Sequence, residues 1–307
     1  MRILHVNNQA SVGYLISRAQ RVLGHESDLL SVKKLTQRAP DHEARDVKGI
    51  AVRLLKMAPR YDIIHVHGGI GISGVSLMPF KAAGKRFFAH YHGSELRENI
   101  QTSFHFMAER IFVSTPDLLR YGENVGGREL IHIPNPVFIE NVSPVDWSER
   151  TEAFEKGEPL RLAHLPSRRE IKGTDNVISS VKRAVERGAH LELDIIENVE
   201  VVEAMERLGS AHVCIDWMSP DYDIHGVVSV EAMLRGIPTI CNIDPDLYPD
   251  DIPIIRASPG DLAEQLMKLY ENKASLPVIG KRSREYALRY HQPLRVAERI
   301  EKYLIRE

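Results

Sequence analysis

The chain has 307 residues, of which 43% are hydrophobic and 27% charged, with a formal net charge of −2. That length exceeds one ordinary compact domain and suits two α/β domains. The near-neutral balance carries no footprint for nucleic acid, which is excluded as an expected partner. Its first residues, MRILHV, have a buried strand's pattern, and no apolar run here is long enough for a signal peptide or membrane span. Cys214 and Cys241 sit in apolar runs without metal-ligand spacing, which predicts buried thiols and a reducing, cytoplasmic setting. Charge is uneven: residues 1–110 carry sixteen Lys or Arg against nine Asp or Glu, a weak bias towards an anionic partner or surface in the first half.

The first half alternates strand and helix. Arg2–Val6 reads as a strand, followed by a helix near Gly13–Leu23 with Leu15, Ile16, Ala19, Val22 and Leu23 on one stripe and Gly24 to end it. Ser27–Ser31 is the next strand. Gly49–Ala58 carries Ile50, Ala51, Leu54, Leu55 and Ala58 on one face, with Lys48, Arg53 and Lys56 elsewhere. That pattern fits docking on a sheet, and also a peripheral contact with the inner face of a membrane. Strands follow at Asp62–Val66, Arg86–Tyr91, Ile111–Ser114 and Leu130–Ile133, with Thr115-Pro116 starting a helix.

Residues 141–158, NVSPVDWSERTEAFEKGE, are polar and without period and read as a linker. The pattern then restarts with strand Leu160–Leu165, helix Asp175–Arg187, strand His190–Ile196, helix Val199–Leu208 and strand Ala211–Asp216. A short helix near Ser229–Arg235 stops at Gly236 and Pro238 before strand Ile237–Cys241. Ser258-Pro259 caps a helix carrying Leu262, Leu266 and Leu269, and Pro293–Ile305 is amphipathic. The expected domains are 1–145 and 158–290, with 291–307 a helix that crosses back to the first. Such alternation implies parallel sheets covered on both faces, which bind ligands beyond the carboxyl ends of their strands.

Two loops of the second half concentrate polar groups there. In LAHLPSRREIKGTDNVISSV a strand ends, Ser167, Arg168, Arg169 and Lys172 follow, and Gly173-Thr174 opens a helix. Cations beside a helix start suit a diphosphate, although a solvated basic turn is an even alternative. In CIDWMSPDYDIHGVVSVEAMLRGIPTIC, Gly226 permits close backbone approach and Glu231 falls in the first turn of the predicted helix. A carboxylate there can accept both hydroxyls of a ribose while the Gly226 and Val227 amides face phosphates; the plain alternative is a dipole-stabilising surface acid. Asp223 lies eight positions before Glu231.

These residues resemble the family-4 retaining glycosyltransferases of the GT-B fold, whose hallmark is two glutamates separated by seven residues and a closing Glu-Ala-Met-Ala-x-Gly-x-Pro. Here the stretch runs Asp223-Ile-His-Gly226-Val227-Val-Ser-Val-Glu231-Ala-Met-Leu-Arg-Gly236-Ile-Pro238. YDIIHVHG, AHYHGSELR and IHIPNPV resemble first-half segments of the same family. The resemblance implies an α/β, GT-B architecture of two Rossmann-like parallel-sheet domains facing across a cleft. It implies a nucleotide diphosphate sugar as donor substrate, no cofactor, no metal, and an acceptor hydroxyl on a sugar, lipid-linked glycan or small molecule. Glu231 inherits the ribose and Asp223, a shorter acid than the family's first glutamate, the donor sugar. Lys172 and one of Arg168 and Arg169 inherit the diphosphate, since Ser167 stands at the usual arginine position. His92 inherits a place near the reacting centre, with a loop histidine tying down its own turn as the alternative. Of the family's paired glycines after the first strand only Gly13 remains.

Two other readings stay open. Gly69-Ile-Gly71-Ile-Ser-Gly74 has the spacing of a dinucleotide-binding turn and would suit an oxidoreductase. It follows a middle strand, and the next strand ends His-Tyr-His without an acidic ribose ligand. The exchanged glutamate and shifted arginines suit a transferase-like protein that binds nucleotide without turnover.

Overall fold

The computed structural model describes residues 1–32, 38–68, 74–98, 103–249 and 251–305. The chain divides into two compact units, one of Met1–Phe138 with Tyr290–Glu307, the other Ile139–Arg289. In chain order the first unit contains β1 (Arg2–Val6), α1 (Val12–Val22), β2 (Glu26–Val32), β3 (His42–Ala44), α2 (Val47–Met57), β4 (Ile63–His67), α3 (Met78–Ala82), β5 (Arg86–Tyr91), α4 (Ser94–Arg97), β6 (Arg110–Val113) and β7 (Ile131–His132). Its strands form one parallel sheet in the order β3-β2-β1-β4-β5-β6-β7.

Alternation along these strands fills both faces. Leu4, Val6, Ile64, Val66, Phe87 and Ala89 pack one way, against Ile50 and Leu54 of α2. Burying each of those two helix side chains contributes about 1.5–3 kcal/mol. Helix α2 starts where the Asp46 carboxylate accepts from the Gly49 amide at 2.8 Å, a cap of about 1 kcal/mol. Leu55, grouped by periodicity with the buried stripe, is instead exposed, because the sheet contacts only a narrow face of the helix.

The second unit contains α5 (Trp147–Glu155), β8 (Leu160–His164), α6 (Arg169–Lys172), α7 (Thr174–Glu186), β9 (Leu191–Ile195), α8 (Val201–Ser210), β10 (Val213–Ile215), α9 (Val227–Leu234), β11 (Thr239–Cys241), β12 (Ile255–Arg256), α10 (Leu262–Glu271) and most of α11 (Leu276–His291). Its parallel sheet runs β12-β11-β10-β8-β9. The stretch 141–158 is not a free linker. Asp146 caps α5 by accepting from the Ser148 amide, Phe154 joins the core, and Trp147 Nε1 donates to the Gly236 carbonyl at 3.0 Å.

The last helix, α12 (Pro293–Leu304), belongs to the first unit. Its Val296, Ile300 and Leu304 pack with Val12 and Ile16 of α1 on the opposite sheet face, over Ile3, Ile63, Phe88 and Phe112. Arg86 fastens it further, donating to the Tyr303 and Leu304 carbonyls while pairing with Glu109.

Candidate functional site

Each sheet reverses its winding once, between β1 and β4 in the first and between β8 and β10 in the second. At such switch points the outgoing loops diverge and leave a crevice beyond the carboxyl edge. In the second sheet the loops after β8 and β10 flank the switch point. Buried His164, the last residue of β8, meets the Ile215 carbonyl through Nδ1 at 2.8 Å and Thr174 Oγ1 through Nε2 at 2.9 Å. A carbonyl only accepts, so Nδ1 carries the proton and Nε2 accepts from the threonine. The helix α7 is thereby tied to β10.

Gly173 has φ +68°, and a Cβ there would collide with the Met218 backbone. The Met218 amide donates to the Lys172 carbonyl at 3.0 Å and Asn176 Nδ2 to the Met218 carbonyl at 3.0 Å. This stitching turns Lys172 inward, leaving it 5% exposed. Its ammonium pairs with Asp216 and lies 4.2 Å from the centre of the Trp217 ring.

The other Asp216 oxygen accepts from the Gly226 amide at 2.8 Å and from Ser229 Oγ at 2.6 Å. Asp216 therefore occupies the amino end of α9, where an anion is stabilised by unpaired amides and the helix dipole. Burial alone would raise its carboxyl, but Lys172, Ser229 and the Gly226 amide outweigh that and hold it below the usual carboxylate range. A Cβ on Gly226 would lie 2.8 Å from Asp216 Oδ2 and 3.1 Å from Lys172 Nζ. Only glycine allows this approach. Asp216 was legible in sequence just as the end of a strand; an acid at a sheet's carboxyl edge was the signal available.

Anchoring of Gly226 starts α9 at Val227, two residues before the expected start. Glu231 is accordingly in the second turn, not the first, so the dipole argument for it fails. It is half-buried, and burial pushes its carboxyl up to about 7 despite Arg235 nearby. Arg169 is committed to Glu197, with Nε 3.0 Å from Oε2. Ser167 and Arg168 are exposed, and Arg168 forms no ion pair among the described residues. Asp223 is half-buried on the loop before Gly226. Lys172, Gly226 and Ser229 are thus gathered around Asp216, while Arg169 is drawn off to Glu197. Cys214 and Cys241 are buried free thiols.

In the first unit, Gly13 is the second residue of α1, buried, and a Cβ on it would lie 2.7 Å from the Asn7 carbonyl oxygen. It serves helix–strand packing rather than opening a loop. Ala10 and Ser11, in the turn before α1, hold φ of 49° and 61°. His92 is half-buried, but its ring nitrogens face inward: Nε2 is 3.3 Å from His67 Nδ1, and Nδ1 is buried, with Asn135 beside the ring. In this arrangement the imidazole presents no nitrogen to a substrate. Sequence reasoning also missed that strand register gathers His5, His65, His67, His90 and His92 on one sheet face. Burial, then neighbouring imidazoles, holds His65, His67 and His90 well below the usual histidine range. Gly69 and Gly71 lie outside the described residues, and Gly74 opens a 3₁₀ turn, Gly74–Leu77.

No family model matches the chain, and no curated protein matches it. Solved structures do. Sucrose-phosphate synthase of Thermosynechococcus elongatus superposes with a TM-score of 0.69 at 13% identity, over 99% of this chain and 98% of that one. HepE of Anabaena in complex with UDP gives 0.67 at 13%, over 99% of each chain. UDP-GlcNAc 2-epimerase from Neisseria meningitidis bound to UDP-GlcNAc gives 0.59 at 12%, over 99% of each. With the two parallel sheets, these likenesses show a GT-B fold of two Rossmann-like domains.

Proposed function

We propose that the chain is a family-4-like retaining glycosyltransferase that takes its sugar from a nucleoside diphosphate sugar. The observation that carries this reading is the juxtaposition of Lys172 with the glycine-opened start of α9, at the switch point of the second sheet. Two stretches that match the family's donor loops, more than fifty residues apart in sequence, meet around one carboxylate. Solved structures of the same fold are described in complex with UDP, UDP-glucose and UDP-GlcNAc, which supports a sugar nucleotide as ligand.

In this reading Glu231 accepts the ribose hydroxyls and Asp223 contacts the donor sugar. Negative charge builds on the leaving diphosphate and is met by Arg168, by the Val227 amide and those after it, and by the field of Lys172. Helix amides at these positions have no acceptor within their own helix. Asp216 neutralises Lys172 at rest and keeps the α9 start preorganised. No metal is required where fixed cations and amides supply the stabilisation. The first domain binds the acceptor, a sugar, lipid-linked glycan or small molecule, and the transferred sugar keeps its anomeric configuration. We further propose a peripheral association of α2 with the cytoplasmic membrane face, because Val52 and Leu55 are exposed beside Arg53 and Lys56.

Epimerases share this fold, so the test separates the chemistries. Thermal shifts are measured with uridine, guanosine and adenosine diphosphates and their sugars, and the best donor is then incubated with and without an acceptor panel and followed by NMR. Stabilisation by one donor, lost in Glu231→Ala, with an α-linked product from an α-linked donor, supports the reading. Epimerised donor without transfer, or binding without turnover under every acceptor, overturns it.

A further inference from the structure

Five imidazoles share one face of the first sheet, at the carboxyl ends of β1, β4 and β5. His5 pairs in register with His65, and His67 with His90. Side chains in register on parallel strands point to the same face, as do residues two apart, so His92 joins them. Neighbouring ring centres are 4.5 Å apart for His65 and His67 and 4.6 Å for His90 and His92. One edge of the column is hydrogen-bonded: His5 Nε2 meets Gln20 Oε1 at 2.8 Å and His5 Nδ1 meets His67 Nε2 at 2.9 Å. On the other edge His92 Nε2 lies 3.3 Å from His67 Nδ1 and the His92 ring sits beside Asn135, but His90 is fully buried with both ring nitrogens unpartnered.

Apolar side chains would fill this face at no such cost, as Ile3, Ile63 and Phe88 do one step back along the same strands. A buried polar atom left without a partner costs about 1–3 kcal/mol, so a ligand that uses those nitrogens is the economical explanation. Two features choose a cation. His67 Nδ1 and His92 Nε2 are 3.3 Å apart, the separation of two nitrogens that each lie about 2.0–2.1 Å from one tetrahedral ion. One nitrogen from each of His67, His90 and His92 falls within 4.8 Å of the others. Beside them is a buried carboxylate: Glu95 Oε1 accepts from the His92 amide at 2.6 Å, while Glu95 Oε2 is buried without a partner.

We propose that His67, His90 and His92 form a site for one divalent transition-metal ion of the imidazole-seeking class, zinc foremost, with Glu95 balancing charge beside it. His92, half-buried where the other two are closed off, is the side from which the ion enters. The site lies within the first unit, at the carboxyl ends of the neighbouring strands β4 and β5, and does not depend on sugar transfer.

The test uses the full chain, stripped with chelator and dialysed against zinc or cobalt chloride, with bound metal counted by elemental analysis. One equivalent bound, visible d–d absorption with cobalt, and a rise in melting temperature on zinc addition are expected. His90→Phe and His92→Ala should each abolish uptake, whereas His5→Phe, outside the three, should keep it. Because His90→Phe removes a core residue and can fail to fold, His92→Ala carries the decision alone if needed. Absence of uptake by the wild type, or uptake unchanged in His92→Ala, overturns the proposal. So does loss of uptake in His5→Phe alone, which would assign the ion to His5, His65 and His67 instead.

Discussion

Lys172 and Asp216 form a buried ion pair whose carboxylate also receives the amide of Gly226 and the hydroxyl of Ser229. The pair joins the two loops of the switch point, and its removal is expected to act asymmetrically. Lys172→Met leaves a buried carboxylate without its cation and should cost about 3–5 kcal/mol, whereas Lys172→Met/Asp216→Asn, which buries no charge, should recover much of that loss. Both tryptophans, Trp147 and Trp217, lie in the second unit, so urea unfolding followed by their fluorescence reads this unit directly. Asp216 is held below its ordinary range, so its stabilisation is present above the unfolded value, about 3.9, and is lost as pH falls through the folded one. A double variant as unstable as the single one would contradict the pairing.

Glu231 has the opposite sign. Its folded carboxyl is raised to about 7, so the folded chain binds this proton more tightly than the unfolded chain. Ionising it costs stability progressively as pH rises from the unfolded value to the folded one. Glu231→Gln should therefore be more stable than wild type at about pH 8 and little different at about pH 4, below the unfolded glutamate value of about 4.3. If the ionised form accepts ribose hydroxyls, nucleotide affinity of the wild type rises through neutral pH with release of a proton. Calorimetry in buffers of different ionisation enthalpy measures that release, and the Gln variant should show none. A pH-independent wild-type affinity counts against the ribose role.

Much of the architecture was legible because buried parallel strands write themselves as short apolar runs: Arg86–Tyr91 was read with the bounds that β5 has. Features set by tertiary contact were not. The α9 start depends on Asp216 reaching Gly226 from another loop, so propensity alone put it too late. Helix α5 buries few residues, Arg150 and Phe154, too few to give the segment 141–158 a period. His65 and His67 stand in the YDIIHVHG stretch, but their grouping with His5 and His90 is a property of register between strands more than twenty residues apart. The loops after β8 and β10 were legible as motifs, yet the carboxylate around which they assemble was not, since no motif includes it.

Helix α2 offers a test at the first unit's surface. Val52 is 53% and Leu55 39% exposed, flanked by the exposed cations Arg45, Lys48, Arg53 and Lys56. Each cation near an anionic bilayer contributes about 1 kcal/mol, so the Arg53→Glu/Lys56→Glu variant should bind acidic vesicles about tenfold more weakly or worse. Sedimentation with anionic and with neutral liposomes measures it. Equal pelleting with both, or no effect of the charge reversal, removes the electrostatic anchor while leaving the docking of Ile50 and Leu54 untouched.

Arg168 and Arg169 were equivalent candidates in sequence, and the structure separates them. Arg169 is paired in a fork with Glu197 at the end of β9, so recruiting it to a phosphate would first require breaking two hydrogen bonds. Arg168 precedes α6 with non-helical backbone and an exposed side chain, already on the turn that leads to Lys172. If the loop serves a diphosphate, Arg168→Ala should weaken nucleoside diphosphate binding by about tenfold to a hundredfold, the range for a charge-assisted hydrogen bond of about 1.5–3 kcal/mol. Arg169→Ala should have a smaller effect, and nucleoside binding without phosphate should be indifferent to both. Titration of the two variants with the diphosphate and the bare nucleoside gives the four numbers needed. A larger loss in Arg169→Ala would mean that the pair with Glu197 opens on binding, and Glu197→Gln, which frees Arg169, should then tighten the wild-type affinity.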